Sequence, residues 1–188
     1  MRKTPAREEL EDALALEIGK LVMAWNYLQE MNGLLLCALT TNSTGGFIHA
    51  IWNSTTNDRA QREMLAAAAA ERHRHKKISQ KQCDDIIWLV NRTNSLADQR
   101  NDVVHAPYMF FTDENESSAM SPLYLFGNVR ARKLQHKNLI KEIRWYTQRS
   151  RELTAFALAM EKSLSHSDRP WPDRPPMPSL GLVPTRKA

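Results

Sequence analysis

The chain has 188 residues, 42% hydrophobic and 25% charged, enough to bury a core without disulfide staples. Its net charge of +5 is uneven: residues 1–127 carry 13 Lys+Arg against 16 Asp+Glu, and residues 128–188 carry 13 against 5. A basic C-terminal third suggests a polyanion partner, RNA first, and the alternative is a solvated basic helix face with a basic tail.

In chain order, Met1-Arg2-Lys3-Thr4-Pro5 leads into Glu8, Glu9, Glu11 and Asp12 rather than an apolar stretch, which argues against a secretory signal. The first helix is expected from Arg7 to about Leu39. Leu10, Leu14, Ile18, Leu21, Trp25, Leu28, Met31 and Leu35 recur at three- and four-residue steps and make one apolar seam. Its longest apolar run, Leu34 to Thr40, is too short to span a bilayer, so no membrane partner is expected. Cys37 and Cys83 lie within apolar helical patterns, with no Cys-x-x-Cys and no histidine at ligand spacing. They read as reduced core thiols of a cytoplasmic protein, with no metal and no cofactor implied.

Asn42 to Gly46 is a breaker cluster and Phe47 to Trp52 a short apolar patch. Asn53 to Asn57 then supplies candidate caps for a second helix ending near Lys77. Ser79 with Gln82 has the form of a capping box opening the third helix. After Pro107, the aromatic runs Tyr108–Phe111 and Leu123–Phe126, separated by the polar stretch Thr112 to Ser121, predict a small hairpin. A last helix is expected from about Leu134 to Leu164, with Ile140, Ile143, Tyr146, Leu153, Phe156 and Met160 inward. From Asp168 onward six prolines argue for an extended or disordered tail. The expected fold is all-α: an antiparallel bundle of about four long helices over 7–166, a β-hairpin-like insertion over 107–133, and a Pro/Arg-rich, disordered tail over 167–188.

The most informative stretch closes the third helix: Ala97-Asp98-Gln99-Arg100-Asn101-Asp102-Val103-Val104-His105. On a helical projection Ile86, Leu89, Val90, Leu96, Ala97, Val103 and Val104 share an arc that also takes in Arg100, beside a polar stripe of Asn94, Asp98, Asn101, Asp102 and His105. A guanidinium keeps its proton, so an inward Arg needs a carboxylate, a phosphate or a wet cleft. With 16 Arg and 6 His in the chain, an Arg-x4-His pair arises by chance roughly 0.5 times. The polar Asn101 directly after the Arg and the helix end at Pro107 make the arrangement more specific.

This long first helix bearing Ala24-Trp25, with a third helix ending in Arg100-Asn101-x-x-x-His105, resembles the HEPN superfamily, small helical domains of prokaryotic defence and toxin systems and of RNA-processing enzymes. The resemblance covers roughly Glu8 to Leu164 and rests on those six residues. It implies metal-independent RNA cleavage by 2′-OH attack in a homodimer whose two Arg-His motifs share a composite cleft. On that reading His105 is the general acid/base, Arg100 holds the scissile phosphate, and Asn101 orients the His or bonds the phosphate. An antitoxin or another protein partner is implied as well. The residue types suit the chemistry: an imidazole both takes and gives a proton near neutral pH, and a guanidinium fork matches a charged phosphoryl group.

Other readings stand beside it. Arg100 paired with a core carboxylate, Glu17 or Glu30, is purely structural, and His105 is then a helix-end residue favoured by the dipole. His73 and His75 point apart at i, i+2. Lys137, Lys141 and Arg144, placed on one side of the last helix, are the candidate RNA-backbone contacts, and a non-catalytic helical dimer binding RNA or a protein is the second hypothesis.

Overall fold

The computed structural model describes residues 5–40, 45–112, 118–124 and 127–176, of which 75% are helical and 6% in strands. The four long helices expected from periodicity are present as α1 (Pro5–Leu39), α3 (Asp58–Arg74), α4 (Gln80–His105) and α6 (Leu139–Ser165). Along α1 the seam is buried at Leu14, Leu21, Trp25, Leu28 and Leu35 and half-buried at Leu10, Ile18 and Met31. Among the described residues no helix is long and apolar enough to cross a membrane.

Six helices are found among the described residues, not four. The additional ones are α2 (Gly45–Ser54) and α5 (Val129–Lys133). The apolar patch Phe47 to Trp52 lies inside α2, with Trp52 buried and Phe47 and Ile51 exposed. Its apolar residues occupy both faces, which hides the helical period that a one-sided stripe would show.

Local side-chain chemistry sets the helix starts. Asn57 Oδ1 accepts from the backbone N–H of Arg59 at 2.9 Å and of Ala60 at 3.3 Å, opening α3. The capping box of α4 forms in both directions, Gln82 N–H to Ser79 Oγ at 3.2 Å and Ser79 N–H to Gln82 Oε1 at 2.7 Å. Asn128 caps α5, with its Oδ1 accepting from Ala131 N–H at 3.0 Å. The last helix begins at Leu139, five residues later than expected. His136 takes a left-handed φ of 60°, which no helix interior accommodates, and Asn138 Oδ1 then receives Lys141 N–H at 3.1 Å.

The hairpin also departs from expectation. β1 (Tyr108–Thr112) falls on the first aromatic run, but β2 is Ser118–Pro122, drawn from the polar stretch, in antiparallel register Tyr108↔Pro122 to Thr112↔Ser118. Leu123 N–H continues the pairing to Pro107 O at 2.8 Å, while Leu125 and Phe126 lie outside the described residues. In this hairpin β1 has the β-favouring sequence, and the second strand is selected by its register with β1.

The chain divides into two compact units. One contains α1 through Met23, the end of α4 from Ala97, the hairpin, α5 and α6 through Gln148. Its buried side chains include Leu14, Leu21, Val103, Leu134, Ile143 and Tyr146. The other contains Ala24 to Leu96 and α6 from Arg149, continuing to Pro178. There Trp25 Nε1 donates to Asp58 Oδ2 at 3.0 Å, and Arg62, 3% exposed, stacks 5.5 Å from the Trp25 ring centroid with its Nε on Asn94 Oδ1 at 2.6 Å.

As far as Pro176 the tail, expected to be extended or disordered, lies outside any helix or strand and is bonded to α4. Trp171 Nε1 donates to Asp85 Oδ2 at 2.8 Å and Arg174 Nε to Asp85 Oδ1. Residues 177–188, also expected to be disordered, lie outside the described residues.

Gly33, in the interior of α1, has a packing reason. A Cβ there would stand 2.9 Å from Cδ1 and Nε1 of the buried Trp52. Gly33→Ala gains about 1 kcal/mol of helix propensity but forces a rigid indole to move, an overpacking cost of about 1–3 kcal/mol. The variant should therefore melt below the parent when followed by circular dichroism, whereas Gly19→Ala, with open space around its Cβ, should melt above it.

Candidate functional site

All six residues singled out from the sequence fall in the first unit, and five of them on α4 or α6. The apolar arc of α4 is buried at Ile86, Leu89, Val90, Leu96, Ala97 and Val103. Arg100 is half-buried at its border, and His105, the last helical residue, is exposed. Arg100 Nη1 donates to Asn101 Oδ1 at 2.8 Å. Asn101 therefore positions the guanidinium in this structure, a role not among those expected for it, and it makes no hydrogen bond to His105. No described residue holds the His105 ring. The carboxylates offered as structural partners for Arg100 are occupied: Glu17 Oε1 receives Lys20 Nζ at 3.0 Å and Arg144 Nη2 at 3.2 Å, and Glu30 faces His49 Nε2 at 3.1 Å.

Around the end of α4 the chain builds a polar network that sequence reasoning missed. Asp102 Oδ2 receives Lys133 Nζ from α5 at 2.9 Å. Tyr108, the first residue of β1, donates its hydroxyl to the Val103 carbonyl at 2.6 Å, satisfying one of the acceptors a helix leaves open at its C-terminus. On α6 the buried Glu142 accepts from the Tyr146 hydroxyl, and its Oε2 also faces Lys137 Nζ at 3.3 Å. Burial pushes the Tyr108 phenol up to about 12. Burial is also the largest reason that Tyr146 is held far above the ordinary tyrosine range, followed by its bond to Glu142 and the nearby Asp102 and Tyr108. Glu17 lies below the usual carboxylate range, chiefly through its bond to Lys20 and then to Arg144, against the opposing effect of burial. A visible sign of this network was Glu142 itself, four residues before Tyr146 on the inward face of the last helix.

The candidate RNA contacts are less available than their charge suggests. Lys137 precedes α6 instead of lying on it, in the turn after α5, and is paired with Glu142. Arg144 is paired with Glu17, while Lys141 is exposed. The three do not form one helical stripe. Among the described residues no group of three His, Cys, Asp or Glu could hold a metal ion.

Comparison with protein-family models, with curated proteins and with solved structures found no match to this chain. The arrangement is therefore read from its own chemistry: a positioned guanidinium, an exposed imidazole five residues further along the same helix, and a rim of paired lysines. A guanidinium can grip a phosphate and an imidazole can exchange a proton, although at i, i+5 these two side chains leave α4 about 140° apart.

The buried phenols make an alkaline prediction. The folded chain keeps on Tyr108 and Tyr146 the protons that an unfolded chain releases from about pH 10 upward. Both are acids whose folded values are raised, so their contribution is complete below pH ~10 and declines as pH rises toward 12 and beyond. In urea unfolding between about pH 10 and 12, Tyr146→Phe should make the fall of stability with pH shallower by about 1 kcal/mol per pH unit. An unchanged slope would mean that the Tyr146 proton is not protected by folding.

Proposed function

We propose that this chain is a HEPN-like, metal-independent RNA endonuclease acting as a homodimer in the cytoplasm, the toxin or effector of a defence or toxin–antitoxin system with an antitoxin or other protein as its partner. The single observation that carries this reading is the end of α4, where Asn101 holds the Arg100 guanidinium and His105 stands exposed on the last helical residue. In the proposed reaction His105 removes the 2′-OH proton, O2′ attacks phosphorus, and the bond to O5′ breaks as that oxygen takes a proton from the imidazolium of the second copy's His105. The products are a 2′,3′-cyclic phosphate and a 5′-hydroxyl. Arg100 balances charge on the non-bridging oxygens as it develops, and a guanidinium does so without a proton transfer of its own. An imidazole that no described residue holds fits a composite site in which a second copy completes the constellation.

A second reading, a non-catalytic helical dimer that binds RNA or a protein, draws on that same loosely held ring, because catalytic histidines are usually oriented by a hydrogen-bonded neighbour. Lys141 and the exposed Arg130 and Arg132 would then be the binding residues.

Cleavage of a fluorescent RNA in chelator-containing buffer separates the two. His105→Ala and Arg100→Ala should each lower the rate by about 100-fold or more while leaving the helical circular dichroism intact. Variants that cut as fast as the parent end the site assignment. A parent that binds the RNA and leaves it whole establishes the second reading.

A further inference from the structure

Beyond α6 the chain folds back over α4 within the second unit, and the contacts it makes there are those of a peptide in a recognition site. Asp85, on the second turn of α4 and 2% exposed, receives three donors: Lys81 Nζ at 2.8 Å from its own helix, and Trp171 Nε1 and Arg174 Nε from the returning strap. Burial drives the Asp85 carboxyl upward, but the three donors outweigh it and keep it below its usual range, so the anchor is an anion. One turn further on, the guanidiniums of Arg92 and Arg174 each stand 5.6 Å from the Trp88 ring centroid, and the Phe156 ring packs perpendicular to it with centroids 5.7 Å apart. Ser163 Oγ donates to the Pro170 carbonyl at 2.7 Å.

The strap thus binds through a Trp N–H, a guanidinium and one carbonyl, spaced as Trp171-x-x-Arg174. Pro170, Pro172, Pro175 and Pro176 restrict φ along it, so little conformational freedom is lost when it docks. This is the logic of extended proline-rich ligands on aromatic-lined surfaces, with a buried carboxylate added to select the arginine.

We propose that the Asp85–Trp88 face of α4 is a recognition site for a proline-flanked Trp-x-x-Arg segment, filled in cis by the chain's own strap and in trans by the strap of a second copy. The ligand that fits the seat is encoded in the same chain, so exchange between two copies reproduces every contact and only the hinge changes course. That hinge is the turn after α6, closed by Arg169 N–H on His166 O at 3.2 Å. A short tether gives the strap an effective concentration of about millimolar, which favours the cis form in dilute solution. The proposal is independent of the nuclease reading.

Two full-length variants test it by complementation. Asp85→Ala keeps its strap and loses its seat, whereas Trp171→Ala/Arg174→Ala keeps its seat and loses its strap. Fluorescence anisotropy of labelled Asp85→Ala chain should rise when the strap-deficient variant is added. The rise should be reversed by a peptide spanning Arg169 to Pro176, and the affinity should fall at least tenfold when the titrant also carries Asp85→Ala. Equal association with and without Asp85 in the titrant overturns the proposal, as does no association at concentrations approaching millimolar. If the strap-deficient variant loses its helical circular dichroism, Arg174→Ala alone replaces it with the same two outcomes.

Discussion

The end of α4 is held by a phenol. Pro107 has no amide proton to continue the helix, and the Val103 carbonyl would be left open there if the Tyr108 hydroxyl did not reach back to it at 2.6 Å. The Ala106 N–H closes a last backbone bond to Asp102 O at 3.1 Å, and Lys133 fastens the Asp102 side chain from α5. Arg100, Asn101 and His105 are useful as a group only if this last turn and a half keeps helical spacing to its final residue. Helix ends ordinarily fray, and here the first residue of the hairpin prevents it. The insertion between α4 and α5, whose role is not evident from its own sequence, thereby becomes part of what shapes the candidate site.

Beneath that terminus lies a second constraint, the buried carboxylate Glu142. Its Oε2 is served both by Tyr146 from the same helix and by Lys137 from the preceding turn, which offsets part of the cost of burying it. The arrangement also holds Lys137 down onto α6, just ahead of Lys141. Lys137 and Arg144 are thus each held by a buried acid, Glu142 and Glu17 respectively.

What the sequence disclosed was what depends on nearby residues. The α1 seam, the Asn57 cap and the Ser79–Gln82 box are set by side chains within four positions of one another, and each is found where the spacing put it. What escaped depends on distant partners. β2 is a strand because β1 lies beside it, α6 starts late because His136 turns the backbone the other way, and the strap is bonded because Asp85 waits 86 residues earlier for Trp171. The arginines show the same division. Arg100 sits only half-buried, whereas the deeply buried guanidinium is that of Arg62, which reads in sequence as one more cation on a charged helix. For the site itself, the residues carrying the Arg-His motif were legible, and the Tyr108, Asp102–Lys133 and Glu142–Tyr146 supports were not.

The pairing of charge has a consequence for any polyanion that approaches. Residues 128–188 hold an excess of eight positive charges, yet Lys133, Lys137, Arg144, Arg149 and Arg174 each already face a carboxylate. A phosphate contacting those side chains trades places with an aspartate or glutamate and sets free few condensed ions from the nucleic acid beyond those displaced by the exposed Arg130, Arg132, Lys141, Arg151, Lys162 and Arg169. Any affinity for a polyanion should then depend on ionic strength as it would for a surface of at most about six effective charges, fewer than the excess of eight in the composition.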